Sequence, residues 1–247
     1  MILLLDGGNT RLKWGLRQGG AWLAQGALER ERIGELLRAL PAGARLERIL
    51  FCNVAGPEVA AAVAQALATV SPGLETFAST PSRAGVRNGY ERPTQLGADR
   101  WAALIGAWGL VGDSCLVVSA GTALTVDVLE RDGHGDGGGA VFRGGLILPG
   151  FDLMRGALAT KTAQLPLATG HYADLPGNTD DAIVSGCLHA LAGAVERLGR
   201  QLPPGTPWLL SGGGADLLLP HLGGNLRRVD NLVLEGLARA VEALPPG

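Results

Sequence analysis

The stretch Ile2-Leu3-Leu4-Leu5-Asp6-Gly7-Gly8-Asn9-Thr10-Arg11-Leu12-Lys13 decides the reading of this chain. Four consecutive aliphatic residues mark a strand buried on both faces, and the run breaks at a carboxylate followed by turn-forming residues. A second run over 12–16 and a third over 21–28 make this opening an antiparallel meander. Sequence of the same form returns at Cys115. Residues 115–119 are an apolar run, Ala120-Gly121-Thr122 is a turn of small residues, and 124–129 is a second strand. A glycine-rich stretch over 133–139 then leads to a third strand over 140–148. One supersecondary unit thus occurs twice, each time opening on a turn that ends in threonine. Duplication of this kind implies an α/β fold of two similar lobes.

Between the meanders lie a charged helical segment over 29–40, a strand over 48–54 and a helix opening at Pro57. A short strand over 74–78 and a loop over 79–94 follow. Trp101, Leu104, Ile105 and Trp108 then obey the i, i+3, i+4, i+7 rule of an amphipathic helix. After the second meander the pattern gives a helix over 179–202, a strand over 208–211 and a GGGAD turn leading into a helix over 212–219. A strand over 226–229 and a final helix over 231–244 end the chain. The lobe boundary is placed near Asp113, giving lobes of 1–113 and 114–247.

The 247 residues carry 21 basic and 23 acidic side chains, so no basic footprint for nucleic acid is present. Glycine numbers 39 without a collagen-like period, which assigns it to turns and close backbone approaches. Cys52, Cys115 and Cys187 are odd in number and far apart, the pattern of reduced thiols. No apolar stretch is long enough to span a membrane, and the N-terminal run lacks a basic flank. A soluble cytoplasmic protein is expected.

Three turns carry the candidate chemistry. Asp6-Gly7-Gly8-Asn9-Thr10 ends a buried strand in a carboxylate, bare backbone and two polar side chains. Such a hairpin can cradle a phosphate, with Asp6 holding Mg²⁺ through water and Lys13 neutralising charge. By itself it reads as an ordinary turn, in which Asp and Asn simply shape the hairpin. The repeat at Ser119-Ala120-Gly121-Thr122-Ala123 changes that balance, because two such turns facing each other across a cleft could hold one phosphate chain. This is similar to the arrangement of the acetate kinase, sugar kinase, Hsp70 and actin superfamily, whose lobes are ribonuclease H-like. Ser211-Gly212-Gly213-Gly214-Ala215 is a third such element, opening a helix where a nucleoside could lie. Gly97-Ala98-Asp99-Arg100 starts another helix. Asp99 falls opposite the apolar stripe at a helix N-terminus, suited to accept a proton from a hydroxyl, with Arg100 beside it for an anionic group. The same residues could simply stabilise the helix end.

Other signals are set aside. Gly133, Gly135 and Gly138 match GxGxxG but link two strands, so a Rossmann site is not expected. His134, His171, His189 and His221 lack zinc-ligand spacing. Ser185-Gly186-Cys187 is no nucleophile elbow.

Six blocks in order make the chain resemble the type III pantothenate kinases throughout: DGGNTRLK (6–13), GYERPTQLGADRW (89–101), SAGTALTVD (119–127), GGLILPGF (144–151), GNTDDAIVSG (177–186) and SGGGA (211–215). The resemblance implies phosphorylation of pantothenate by ATP with Mg²⁺, the first step toward coenzyme A. It implies ATP-phosphate contacts from Asp6, Gly7, Gly8, Asn9, Thr10, Arg11, Leu12, Lys13 and Thr122. Tyr90, Gly97, Ala98, Asp99 and Arg100 would bind pantothenate, with Asp99 as proton acceptor. A homodimer is implied, with Thr179 completing the pantothenate site from the partner subunit. The family usually carries Asp where this chain has Ser119, at the site of a monovalent cation such as K⁺ or NH₄⁺. A neutral hydroxyl removes that cation's charge partner, so weak cation dependence is expected. A transcription accessory regulator on the same fold, or a kinase for another hydroxy acid or sugar, are the alternatives.

Overall fold

The computed structural model describes residues 1–70, 73–133, 138–162 and 164–243. The elements in chain order begin with β1 (Ile2–Gly7), β2 (Arg11–Gln18), β3 (Ala21–Glu29), α1 (Leu36–Ala39), β4 (Arg48–Asn53) and α2 (Pro57–Ala66). Then come β5 (Leu74–Phe77), β6 (Ser82–Arg83), β7 (Val86–Asn88), α3 (Ala98–Val111), β8 (Cys115–Ala120) and β9 (Ala123–Asp132). The chain continues with β10 (Gly139–Pro149), α4 (Phe151–Lys161), α5 (Thr179–Gly199), β11 (Pro207–Ser211), α6 (Ala215–Leu218), β12 (Asn225–Arg228) and α7 (Leu232–Glu242). Two compact units result. The first comprises Met1–Gly112, Asp132–Phe142 and the residues from Asn231 on; the second comprises Asp113–Arg131 and Arg143–Asp230.

In the first unit the strand order is β3-β2-β1-β4-β5. The central position of β1 explains its unbroken aliphatic run: Leu3, Leu4 and Leu5 have no exposure because both sheet faces are covered. β1 runs antiparallel to β2 and parallel to β4, and this register sets Asp6 between Lys13 and Cys52. One face of the sheet, with Leu3, Leu5, Trp14 and Phe51, packs on Val59 and Val63 of α2 and on Ile33 and Leu36. The charged segment over 29–40 forms a 3-10 turn over Arg30–Glu35 and a single turn of α1, not one helix. Gly34 in its middle and the lack of any side-chain cap at Glu29 or Glu35 account for the difference. The loop over 79–94 contains the short strands β6 and β7, and Ala140, Val141 and Phe142 of β10 pair with β7 in parallel.

α3 departs from the amphipathic expectation. Every residue from 100 to 108 is buried, Arg100 included, so the helix is enclosed on all sides and not on one stripe. Part of that enclosure comes from α7, the last helix in the sequence but a member of the first unit. The two helices meet at glycines. A Cβ on Gly236 would lie 1.7 Å from the Ala102 carbonyl oxygen, and one on Gly106 would lie 2.6 Å from that of Leu232. Side chains from other elements secure α7: the Trp22 indole donates to Glu235 at 2.8 Å, and Arg17 pairs with Glu242 at 2.9 Å.

The second unit has the strand order β12-β11-β8-β9-β10, with β11 parallel to both β8 and β12 and β9 antiparallel to β8. Leu116, Val118, Leu124, Val126 and Leu210 form one face, against which α5 lays Ile183, Val184, Leu188, Leu191 and Val195. The helix starts where predicted because the Asn178 side chain accepts from the Asp181 N–H. The helix expected over 212–219 is a single turn, α6, followed by a 3-10 turn containing Pro220. α4 has no fully buried residue, but its apolar stripe Phe151, Met154 and Leu158 packs partly buried against this core. Cys52, Cys115 and Cys187 are free and buried. Among the described residues no helix is long and apolar enough to cross a membrane.

The α3–α7 crossing leaves no room for a methyl group, and the obstacle is backbone that cannot swing aside. Gly236→Ala should destabilise the protein by about 2–3 kcal/mol and lower Tm by roughly 5–10 °C. Gly193→Ala, on exposed α5 with nothing within 4 Å of the added carbon, should hold or raise Tm. Thermal unfolding of the two variants side by side checks the assignment.

Candidate active site

The first unit gathers Asp6, Lys13, Cys52 and Asp99. Asp6 is the last polar group on β1 before the hairpin and is only 9% exposed. Burial pushes its carboxyl up to about 6; Lys13 pulls it down, and the charge of Asp99 adds to the rise. The same pair of carboxylates, after burial itself, holds the Cys52 thiol well above its ordinary range. Cys52 therefore stays protonated and is no nucleophile. Asp6 thus sits desolvated, with Lys13 favouring its charge and Asp99 opposing it.

The hairpin beyond Asp6 is tight, with the Gly8 N–H donating to the Arg11 carbonyl at 3.1 Å. Asn9, Thr10 and Arg11 are exposed at its tip, where Arg11 pairs with Glu29 at 3.2 Å. Leu12 is different: its side chain has no exposure and belongs to the core, so only its backbone is open to a ligand role. Sequence reasoning missed Asn53, which ends β4 beside Gly7. Its amide caps the local turn, donating to Gly56 and accepting from Ala55, and a Cβ on Gly7 would stand 3.2 Å from its Oδ1.

Asp99 sits half-buried in the first turn of α3, which has no side-chain cap. Its Oδ1 accepts from the Arg100 N–H at 2.8 Å, so the carboxylate lies against the helix N-terminus. Arg100 is 6% exposed, not a surface residue. Its Nη1 donates to the Tyr90 hydroxyl at 3.0 Å, and its guanidinium stands 5.7 Å from the ring centroids of both Tyr90 and Phe142. The two rings are 5.2 Å apart. Phe142 was read only as strand sequence; its place here follows from the pairing of β10 with β7, which no local signal announces. Asn88 fixes the Tyr90 backbone by accepting its N–H at 3.1 Å while donating to Ser79. A rigid cation with aromatic walls is the result.

The second unit brings two of the expected turns together. The Gly214 N–H donates to the Ala120 carbonyl at 2.9 Å, and Gly212 adopts φ +98° with its α-carbon so near Ala120 that a Cβ would come within 2.2 Å of the same oxygen. The SGGGA element is therefore built against the Ser119–Thr122 turn. Gly150 joins them by donating to the Thr122 carbonyl at 2.8 Å. Ser119 faces Thr125 and Ser211 in register across β9, β8 and β11, a row of three hydroxyls. The Thr125 Oγ1 is buried with no hydrogen-bond partner. Thr122 is exposed, and Thr179 is exposed as the first residue of α5.

The remaining signals fall away from these residues. His189 and His221 flank the Tyr172 ring at 5.5 and 4.2 Å, around a surface pocket of about 630 Å³. No group of three metal-ligating side chains occurs among the described residues. His134 and Gly135 lie outside the described residues.

A curated type III pantothenate kinase of Aromatoleum aromaticum is 54% identical over 240 residues, covering 96% of each chain. That of Dechloromonas aromatica is 45% identical over 238 residues, covering 96% of this chain and 97% of its own. Among solved structures, a Baf family transcriptional activator candidate from Campylobacter jejuni superposes with a TM-score of 0.63 at 18% identity, covering 97% of both chains. A 2-dehydro-3-deoxygalactonokinase candidate from Sinorhizobium meliloti gives 0.55 at 16% identity, covering 98% of both. These two likenesses show the fold, a duplicated ribonuclease H-like α/β architecture. The type III pantothenate kinase family description matches residues 2–201, and the chain belongs to that family.

Proposed function

We propose that the protein phosphorylates pantothenate at its primary hydroxyl with ATP, yielding 4'-phosphopantothenate for coenzyme A synthesis. Family membership over the full chain supports this reading. The observation that carries it is Asp99, a half-buried carboxylate at a helix N-terminus, within electrostatic reach of the desolvated Asp6. Asp99 orients the hydroxyl and accepts its proton as the alkoxide oxygen bonds to the γ-phosphorus and the bond to ADP breaks. Such a transfer has a loose transition state, so the protein contributes mainly position and charge. Tyr90, Gly97, Ala98 and Arg100 hold pantothenate. The turn from Asp6 to Lys13 meets the phosphates of ATP through backbone N–H groups, Asn9, Thr10, Arg11 and Lys13. Thr122 contributes from its own unit.

The residues present suit a divalent cation. Asp6 is a carboxylate short of positive charge, since burial and Asp99 both oppose its ionisation against Lys13 alone. A cation held through water relieves that deficit. Bound Mg²⁺ would supply charge neutralisation at the phosphates, and Asp6 is the residue that would hold it.

The pantothenate site is completed by Thr179 of a second copy, in a homodimer. Support comes from the apolar residues exposed in the same unit: Leu175 at 93%, Ile147 at 64%, Leu167 at 58% and Leu153 at 49%. Three free, buried thiols favour a reducing compartment, the cytoplasm. A transcription accessory role finds a likeness of fold alone, and neither it nor a sugar kinase reading requires Asp6, Tyr90, Asp99 and Arg100 together.

Asp99→Asn keeps the shape and removes the proton acceptor. In a coupled assay of ADP release dependent on pantothenate, it should lower kcat by roughly 10²–10⁴-fold. An unimpaired variant, or ADP release that ignores pantothenate, would reject the mechanism. Ser119, with its row of neutral hydroxyls, predicts a second outcome. Replacing Na⁺ by K⁺ or NH₄⁺ at fixed ionic strength should change the rate by less than about twofold, because no carboxylate stands at that position to hold the ion. A steep rise with K⁺ would oppose it.

A further inference from the structure

The segment that precedes α5 is fastened along one line of that helix. Asp181, Ser185 and His189 are spaced i, i+4, i+8 and so share a face. Each holds a successive part of the preceding segment. The His171 N–H donates to Asp181 Oδ1 at 2.7 Å. The Ala173 N–H donates to Ser185 Oγ at 2.9 Å. Between them the Tyr172 ring lies 5.5 Å from that of His189 and 4.2 Å from that of His221, and its hydroxyl donates to Asp174 at 2.7 Å. Gly170 makes the start of the strap close: a Cβ there would come within 2.5 Å of the Asp181 nitrogen.

The same residues fix the helix start. Asn178 caps α5 by accepting the Asp181 N–H at 2.9 Å, and its Nδ2 donates to Asp181 Oδ2 at 2.6 Å. Asp181 is thus shared between the strap and the cap, and its carboxyl is held below the usual range chiefly by the His171 N–H. Ser185 is 1% exposed, so its hydroxyl is a buried anchor, not a surface contact. A strap tied at Asp181, Ser185 and His189 leaves 175–179 as a short span between two fixed points. Leu175 and Thr179 project from that span.

We propose that Ser185, with Asp181, is a positioning residue for pantothenate: the strap along α5 sets the place of Thr179. The proposal rests on the reading that Thr179 contacts pantothenate across a dimer. Ser185 touches no substrate. Without its acceptor the half-buried Ala173 N–H loses its partner, the strap lifts, and the first turn of α5 loses its fixed approach. Its signature is therefore in substrate binding and not in the chemical step, since Asp99 and Asp6 belong to the other unit.

The test compares Ser185→Ala, Thr179→Ala and Val195→Ala in the full-length enzyme. Ser185→Ala should raise the KM for pantothenate by about three- to tenfold, with kcat and the KM for ATP within about twofold. Val195→Ala, which opens a cavity in the α5 core away from the strap, should lower Tm at least as much and leave that KM unchanged. Amide exchange at Ala173 should quicken in Ser185→Ala alone. If Ser185→Ala does not fold, Asp181→Ala on the exposed first turn carries the same expectation. Thr179→Ala raising the pantothenate KM while Ser185→Ala leaves it untouched overturns the strap. Thr179→Ala with an unchanged KM overturns instead the reading beneath it. An increase from Val195→Ala equal to that from Ser185→Ala reduces the effect to general loss of stability and also overturns the proposal.

Discussion

Asp6 stands at the end of the most enclosed strand of the first unit, withdrawn from water, with Asp99 near enough to oppose its ionisation and one lysine to support it. A carboxylate in that position is costly to charge without a cation. The enclosure has a clear origin. β1 is the middle strand of five, its leucines are covered on both faces, and the chain can expose a polar group only where that strand stops. The hairpin then has to turn within a few residues, which leaves Asn9, Thr10 and Arg11 exposed at its tip. Strand placement, dryness and charge deficit are therefore one constraint seen at three levels. In the proposed reaction that deficit is met by the cation that accompanies the nucleotide.

Asp99 and Arg100 depend on the same economy of space. α3 is enclosed throughout its buried stretch because α7, arriving from the far end of the sequence, crosses it at two glycines. That close crossing holds the helix against the sheet, and the first turn of α3 carries the candidate proton acceptor. Arg100 would be expensive to bury as a bare cation. Its bond to Tyr90 and the faces of Tyr90 and Phe142 compensate, and they fix its orientation as well.

Much of this was legible in the residues. The Leu3–Leu5 run, its break at Asp6 and the return of the pattern at Cys115 were sufficient for a duplicated α/β architecture. Asp99 was placed at the start of a helix, as observed. Other features were hidden for physical reasons. The 101/104/105/108 stripe suggested an exposed face on α3, because nothing local announces that α7 will cover it. Phe142 joins Tyr90 through a strand pairing between distant segments, and Asn53 reaches Gly7 through a parallel strand; neither leaves a periodic trace. Leu12 sat inside a motif read as ligand-binding, yet its alternation along β2 sends the side chain into the core. The charged segment over 29–40 looked helical by composition, but Gly34 and uncapped ends allow only short turns.

The most direct test of the central claim is the titration of the Asp6 carboxyl, followed by its carbon resonance in the protein with and without Mg²⁺ and a non-hydrolysable ATP analogue. The account predicts a midpoint near the value of about 6 in the free protein, falling toward the ordinary carboxylate range when cation and nucleotide bind. A midpoint already in that range and indifferent to both ligands would contradict it.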